Sequence, residues 1–236
     1  ANNNKISSLS VSSENKMYWL EVNGNSLVSL PVSDMPQLSH LKCSNNNIDV
    51  LYLNDNAKLN YLDCSSNYLT ELVLDKTTEL NTLICSYNQF VKSDFVLPAN
   101  ANFNTFKAVN CFIDVDELNL QNSTALRYID VSNNKSLQNL RLPASVPNLK
   151  ELVANDCNLR KVFCGGNNFH LFDHDPKYKP KTTMSNLELV NVANNPGMIV
   201  AVCYNRANYG RLKAIDVSGC DVFKVFLFGT NINTLT

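Results

Sequence analysis

The sequence predicts an α/β solenoid, right-handed and dominated by short parallel β-strands with little helix. Three observations favour this fold class: leucine, cysteine and asparagine return together every 21 residues, the repeat runs along almost the whole chain, and asparagine is plentiful where glycine is scarce. The chain holds 37 asparagines but only 7 glycines in 236 residues. Ordinary loops use both residues, so the imbalance indicates asparagine side chains that bond backbone groups at fixed positions.

The repeat is clearest in its middle copies, where the unit reads L-x-x-L-x-C-x-x-N-x-L-x-x-L-x-L-x-x-N-x-x. Self-similarity at a fixed period of this length marks a repeat protein. A half repeat begins at Ile6, and full units start near residues 17, 38, 59, 80, 103, 126, 149, 187 and 212. We therefore expect a single repeat domain of about nine units over residues 1–236.

Each letter of the unit has a structural reason. In L-x-C the alternate residues point inward, as a strand of period two requires, and strands of successive coils pair in parallel about 4.8 Å apart. The Asn three residues later sits where the chain turns, so its side chain can bond backbone groups that would otherwise be buried unpaired. The second half of the unit predicts a short extended segment on the opposite side. A coil of this length leaves no room for a full helix.

The spacing L-x-x-L-x-L-x-x-N-x-L resembles that of leucine-rich repeats. The strict period with Cys43, Cys64 and Cys85 in place of the middle leucine resembles the cysteine-ladder repeats of internalin J-like bacterial surface proteins and of Bacteroides-type surface proteins. The resemblance implies a non-enzymatic, adhesin-like binding module at the cell surface or outside the cell, exported by a signal peptide absent from this chain. Because the repeat is already running at Ile6 and still running at Leu235, we expect the chain to be part of a longer protein, or its ends to pack on a partner.

Composition argues against several partners. The net charge is −1, with 20 basic and 21 acidic residues, so nothing steers the chain towards nucleic acid or an anionic membrane. No apolar run approaches the roughly 20 residues that span a bilayer. We expect no membrane insertion.

The eight cysteines follow the repeat, which argues against a disulfide framework. Three of them occupy the inward strand position, and Cys111, Cys157 and Cys220 replace the Asn of the turn. Free cysteine behaves as a small buried hydrophobe, so we predict buried free thiols at these six positions. Cys164 and Cys203 fall on the opposite half of the coil.

The outward strand positions, on the concave face of such a solenoid, form the first candidate binding site. One column holds Trp19, His40 and Tyr61 in successive coils and Tyr128 further on. Exposed aromatic side chains in a row suit recognition of a protein or a glycan, because they offer a large contact area at low entropic cost. The alternative is that they are β-forming residues tolerated on a sheet surface.

Loops that break the repeat form the second candidate site. The longest insert spans residues 170–186, and residues 206–211 lengthen the same corner one coil later. Stacking of coils should make the two loops neighbours, and long loops of this kind are usually functional or disordered. The candidate binding residues on this edge are Asp173, His174, Tyr178, Arg206, Tyr209 and Arg211.

The insert also raises the question of a metal. His170 and His174 with Asp173 and Asp175 could bind a divalent ion, but Pro176 and Pro180 break any helix that would align them, and a polar surface loop without a ligand explains the same residues. We expect no metal, no cofactor and no catalytic residue, since no serine elbow or phosphate loop is present. Protein recognition is the leading hypothesis. A structural spacer of a surface protein is the alternative, and a metal-dependent enzyme built on the insert is the least favoured.

Overall fold

A computed structural model describes most of the chain. Its described residues are 1–12, 15–90, 95–98, 100, 102–115, 117–143, 148–158, 161–163, 189–191, 193–194, 200–204, 214–216, 218–219, 224–228 and 234–236. They divide into two compact units, Ala1–Asp114 and Val115–Thr236. The expectation of one continuous domain stays a prediction.

The described residues of the first unit form seven short strands. In chain order they are β1 (Trp19–Glu21), β2 (His40–Lys42), β3 (Tyr61–Asp63), β4 (Leu72–Val73), β5 (Thr82–Ile84), β6 (Phe95–Val96) and β7 (Thr105–Lys107). Strands β1, β2, β3, β5 and β7 form a parallel ladder in that order, one strand per coil. Strands β4 and β6 pair in parallel in the second half of the coil.

The second unit repeats the pattern. Its strands are β8 (Glu117–Asn119), β9 (Tyr128–Asp130), β10 (Asn139–Arg141), β11 (Glu151–Val153), β12 (Lys161–Phe163), β13 (Leu189–Asn191), β14 (Val200–Tyr204), β15 (Ala214–Asp216), β16 (Lys224–Phe228) and β17 (Thr234–Leu235). The main ladder is β9-β11-β13-β15-β17, and β12-β10-β8 and β14-β16 form the second-half sheets. All of these pairings are parallel. The fold is thus the parallel β-solenoid that the sequence predicts.

Strand positions follow the repeat closely. Each main-ladder strand begins two residues after the expected start of a sequence repeat. These strands begin at residues 19, 40, 61, 82, 105, 128, 151, 189 and 214. In β2, β3 and β5 the central leucine is fully buried and its two neighbours are partly exposed, which is the alternation of a half-buried strand. The leucines of successive coils stack behind the ladder as the core.

The turn asparagines hold neighbouring coils together. Asn67 is only 5% exposed, and its Nδ2 donates to the carbonyl oxygens of Cys64 in its own coil and Cys43 in the preceding one, both at 3.0 Å. Its Oδ1 accepts from the backbone N–H of Ile48 at 3.1 Å. Asn46 and Asn88 repeat the same bonds. One side chain therefore satisfies backbone groups of two coils, as the sequence predicts.

The residue before each turn asparagine lies in the left-handed region of backbone space. In the first unit this column contains Gly24, Asn45, Ser66, Tyr87 and Asn110, with φ between 52° and 63°. Gly, Asn and Ser are ordinary occupants of such turns, whereas a bulky residue costs about 1–2 kcal/mol there. Tyr87 is the exception in the column. Phe112, two positions further along its own coil than Asn110, is a second aromatic residue with positive φ, at 54°.

Helix is scarce, as predicted. Within the described part of the chain, the one helical element is a 3₁₀ turn at Val32–Asp34, which follows Pro31 and buries Val32. None of the residues that the structure describes belongs to a helix with the length and apolarity needed to cross a membrane.

The side chains of five cysteines are described, and all five are buried free thiols: Cys43, Cys64, Cys85, Cys111 and Cys157. Cys111 Sγ donates to the carbonyl of Cys85 at 3.1 Å, so it takes over the bond to the preceding coil that an asparagine makes elsewhere. Burial raises the pKa of Cys157 to about 11 and that of Cys64 well above the usual range. The prediction of buried free thiols is confirmed for these five. The side chains of Cys164, Cys203 and Cys220 lie outside the described residues.

Candidate functional site

The register of the first unit places three ring side chains in one line. Trp19 pairs with His40 across β1 and β2, and His40 pairs with Tyr61 across β2 and β3. Each precedes the buried leucine of its strand, so all three side chains stand on the outer face of the ladder. We call Trp19, His40 and Tyr61 the ring column.

The three rings of the column stack face to face. The centroids of Trp19 and His40 are 3.5 Å apart with an interplanar angle of 7°, and those of His40 and Tyr61 are 4.4 Å apart at 16°. Strand spacing of about 4.8 Å brings such rings to stacking distance when their χ angles agree. Trp19 stays 53% exposed, so the column presents a broad aromatic surface to solvent.

Charged groups flank the ring column on one side. Lys42 Nζ lies 3.0 Å from a carboxylate oxygen of Glu21 and 5.6 Å from the ring centroid of Tyr61. The hydrogen bond between Lys42 and Glu21 lowers the pKa of the Glu21 carboxyl and raises that of the Lys42 amine. Both groups are therefore ionised at neutral pH. On the next coil, Asp63 accepts from the backbone and hydroxyl of Ser65.

His40 is the constrained member of the column. Its side chain is 13% exposed, and its Nε2 is buried without a hydrogen bond, 3.7 Å from Glu21 Oε1. Burial between two rings, followed by the charge of Lys42, lowers the pKa of His40, and Glu21 opposes this. The imidazole is thus neutral at pH 7 and acts as an aromatic spacer between Trp19 and Tyr61.

This arrangement suits binding better than chemistry. A flat aromatic strip beside a fixed cation and fixed carboxylates can take up an extended ligand, the rings supplying contact area and the charges supplying orientation. Among the residues that the structure describes, no group of three or more His, Cys, Asp or Glu side chains is placed to hold a metal ion.

Of the remaining sequence-predicted residues, the structure describes Tyr128, which does not join the ring column. Tyr128 lies in β9 of the second unit, half-buried and paired with Glu151. The edge-loop residues Asp173, His174, Tyr178, Arg206, Tyr209 and Arg211, and His170 with them, fall outside the described residues. The binding role of every residue in both candidate sites stays a prediction.

Sequence reasoning missed a second aromatic surface on the first unit. Tyr68, Tyr87 and Phe112 lie on three successive coils at the corner that follows the strand, and each is more than half exposed. The signal was present in the sequence. Aligning the repeats places Tyr87 in a column otherwise filled by Gly, Asn, Ser and Asp, mostly residue types that favour a left-handed turn.

Comparison with known proteins identifies the fold. No family model matches the chain, and no curated protein matches it. Among solved structures, the chain is similar to the functional domain of InlJ from Listeria monocytogenes, which includes a cysteine ladder. The identity is 22%, the match covers 92% of this chain and 49% of that one, and the TM-score is 0.57. The chain thus spans about half the length of that domain.

Two further solved structures are more distant. The internalin InlF of Listeria monocytogenes is 15% identical over 100% of this chain and 80% of its own, with a TM-score of 0.44. A leucine-rich-repeat protein of Leptospira interrogans is 12% identical over 87% of this chain and 67% of its own, with a TM-score of 0.35. The likeness to InlJ establishes a leucine-rich-repeat solenoid with a cysteine ladder as the fold of this chain.

Proposed function

We propose that the chain is a non-enzymatic binding module of a cell-surface or secreted protein, and that it recognises a protein through the outer, concave face of its strand ladder. The edge loops 170–186 and 206–211 belong to the same proposal as a second contact. Surface glycan is the alternative ligand of this face. A structural spacer is the alternative function, and a metal-dependent enzyme on the insert is the least favoured.

The stacked, solvent-facing ring column carries this proposal. Its exposed tryptophan and partly exposed tyrosine are residue types enriched where binding energy concentrates, and stacking pre-orders them so that little rotamer entropy is lost on binding. The adjacent Glu21–Lys42 pair and Asp63 give the face an alternation of charge, which suits a protein surface of complementary charge.

The likeness to internalins supports the same conclusion at the level of fold only. Solenoids of this class present an extended surface formed by successive strands, and such surfaces serve recognition more often than catalysis. Because a fold does not fix a function, the ring column and not the likeness is what an experiment must test.

The experiment is capture of partners from extracellular host extract by the immobilised chain, with identification by mass spectrometry. Four proteins are compared: the intact chain, Trp19→Ala, Lys42→Glu, and Tyr52→Ala as the matched control, since Tyr52 is 65% exposed but lies in the second half of its coil. We expect a partner retained by the intact chain and Tyr52→Ala and lost by Trp19→Ala and Lys42→Glu, with weaker capture at high salt.

A fifth protein, with residues 170–186 excised, separates the two proposed contacts. Loss of the partner on excision alone would move recognition to the edge loops. If every variant is folded by circular dichroism and none captures a partner, the binding proposal is wrong and the spacer takes its place.

A further inference from the structure

The corner that follows each strand in the first unit carries an exposed aromatic surface of its own. We call Tyr68, Tyr87 and Phe112 the aromatic corner; they are 52%, 56% and 56% exposed. Backbone hydrogen bonds join their coils at this point, from Ser66 N to Ser86 O and from Tyr87 N to Val109 O, both at 2.8 Å. The three side chains therefore lie on neighbouring coils, within roughly 10 Å along the stacking direction.

The turns that carry the aromatic corner contain no charged side chain, and the nearest one along the chain is the exposed carboxylate of Asp114, two residues after Phe112. The turn segments 23–27, 44–48, 65–69, 86–90 and 109–113 contain no Asp, Glu, Lys or Arg, although such residues make up 17% of the chain. The corresponding turn of the second unit includes Lys135 in one coil and Asp156 in the next. In place of charge, the first unit offers the exposed amides of Asn47 and Gln89 beside the rings.

The backbone holds two of these rings in an uncommon conformation. Tyr87 and Phe112 have φ of 59° and 54°, in the left-handed region that bulky residues avoid. Neighbouring coils place Asn45 and Asn110 at the position of Tyr87, so the fold does not require an aromatic residue there. Strain of this kind in an exposed aromatic residue points to a binding function.

The chemistry selects the ligand class. Tyrosine and phenylalanine rings offer flat apolar faces, against which the C–H face of a sugar ring packs. Amides and hydroxyls match the sugar's hydroxyl groups as donors and acceptors. Turns without Lys or Arg offer no cation to sulfated, carboxylated or phosphorylated ligands, and the carboxylate of Asp114 near Phe112 repels them. The charged ring column differs from the aromatic corner in this respect.

We propose that the aromatic corner formed by Tyr68, Tyr87 and Phe112 is a binding site for an uncharged oligosaccharide. The site lies on the turns that follow the strands, outside the strand positions that carry the ring column. Phe112 and Tyr68 stack on the sugar rings, and Tyr87 between them adds a ring face and a hydroxyl.

Saturation-transfer difference NMR with a panel of uncharged hexasaccharides tests the site. The probes are cellohexaose, chitohexaose and mannohexaose, and a heparin hexasaccharide serves as the charged comparison. We expect at least one uncharged probe to bind with a Kd of about 1 mM or tighter, and the heparin fragment to bind at least about tenfold more weakly.

Three substitutions take the residue found at the equivalent position of a neighbouring coil, which keeps the turn intact: Tyr87→Asn, Tyr68→Asn and Phe112→Gln. Each should raise the Kd at least about tenfold, while Tyr52→Asn and Trp19→Ala leave it unchanged. Melting curves confirm that each variant is folded.

Four results would overturn the proposal: no uncharged probe binding below about 10 mM, tighter binding of heparin, equal binding by the three variants, or loss on Trp19→Ala. Capture of a protein at this corner without any sugar binding would equally assign the surface to a different class of ligand.

Discussion

Two aromatic surfaces of the first unit differ in what holds their rings. In the ring column, Trp19, His40 and Tyr61 lie in regular strands and stack on one another at 3.5 and 4.4 Å. In the aromatic corner, Tyr68, Tyr87 and Phe112 are each more than half exposed, and two of them hold a backbone conformation unfavourable for their type. The column also lies beside the Glu21–Lys42 pair, whereas the corner has no charged neighbour in its turns.

The difference separates stability from recognition. Stacked rings on adjacent strands add favourable contacts to the ladder. Their stacked arrangement therefore has a structural role as well as a role in binding. Exposed rings in strained turns add little to the fold, so binding is the more direct reason for their presence. Function can therefore be tested most cleanly at the corner, because the corner's rings can be removed without disturbing the ladder.

The largest effect should come from the turn asparagine beneath the corner. Replacing Asn67 with Ala leaves the carbonyls of Cys43 and Cys64 and the N–H of Ile48 without their partner, a loss of about 3 kcal/mol in the free energy of unfolding. Replacing its exposed neighbour Tyr68 with Ala should cost less than about 0.5 kcal/mol. Urea unfolding measures both.

Asn54→Ala is the control for Asn67→Ala, because Asn54 is an exposed asparagine of the same chain. If Asn54→Ala and Asn67→Ala unfolded at the same urea concentration, the asparagine ladder would not hold the coils together. If Tyr68→Ala lowered the free energy of unfolding as much as Asn67→Ala, the aromatic corner would also stabilise the fold. The two surfaces would then not differ in the way described.

A smaller loss is expected in the ring column. Tyr61→Ala removes the stacking contact with His40 and the contact with the Lys42 amine, which together contribute about 1–2 kcal/mol. Tyr52→Ala, at a tyrosine that is 65% exposed, should change the free energy of unfolding by less than about 0.5 kcal/mol. Equal melting temperatures of these two variants would mean that the ring column does not stabilise the sheet.

The sequence predicts the column but not the corner, for physical reasons. The regular repeat fixes strand register, and register alone places Trp19, His40 and Tyr61 on adjacent strands. Register does not fix side-chain χ angles. The face-to-face stacking and the unpaired Nε2 of His40 are therefore visible only in the structure. Tyr87 stands out by its positive backbone φ angle. The repeat indicates this angle only when the residues at that turn position are compared across all coils.

Insertions mark the limit of the same reasoning. Each insertion in the second unit shifts the start of the next 21-residue repeat. The repeat therefore locates the strands at 189 and 214, but it does not predict how the inserted residues fold. The candidate edge residues, from Asp173 to Arg211, lie in those insertions. The strand register that placed the ring column does not extend to them.

The smallest effect should appear as pH dependence. The pKa of His40 lies below its ordinary value near 6.5 because the ring is buried beside Lys42, with Glu21 and Tyr61 as its other charged or titratable neighbours. The unfolded chain then binds more protons than the folded chain below about pH 6.5, so stability falls as pH drops from 7 towards 5. Thermal melting across this range measures the fall.

His40→Phe is the matched variant, because it keeps a ring in the column and removes the titrating group. We expect its melting temperature to fall less steeply with acid than that of the unmodified chain. A slope unchanged by the substitution would show that His40 is not buried as a neutral ring.

Urea unfolding of His40→Ala beside Tyr87→Asn tests the difference between the two surfaces most directly. Removing the middle ring of the column should lower the free energy of unfolding by about 1–2 kcal/mol. Giving Tyr87 the Asn that neighbouring turns carry should raise it by about 0.5–1 kcal/mol, because the left-handed strain is relieved. Shifts of opposite sign would bear out the account. A loss of stability in Tyr87→Asn equal to that in His40→Ala would contradict it, since the corner would then be part of what holds the fold together.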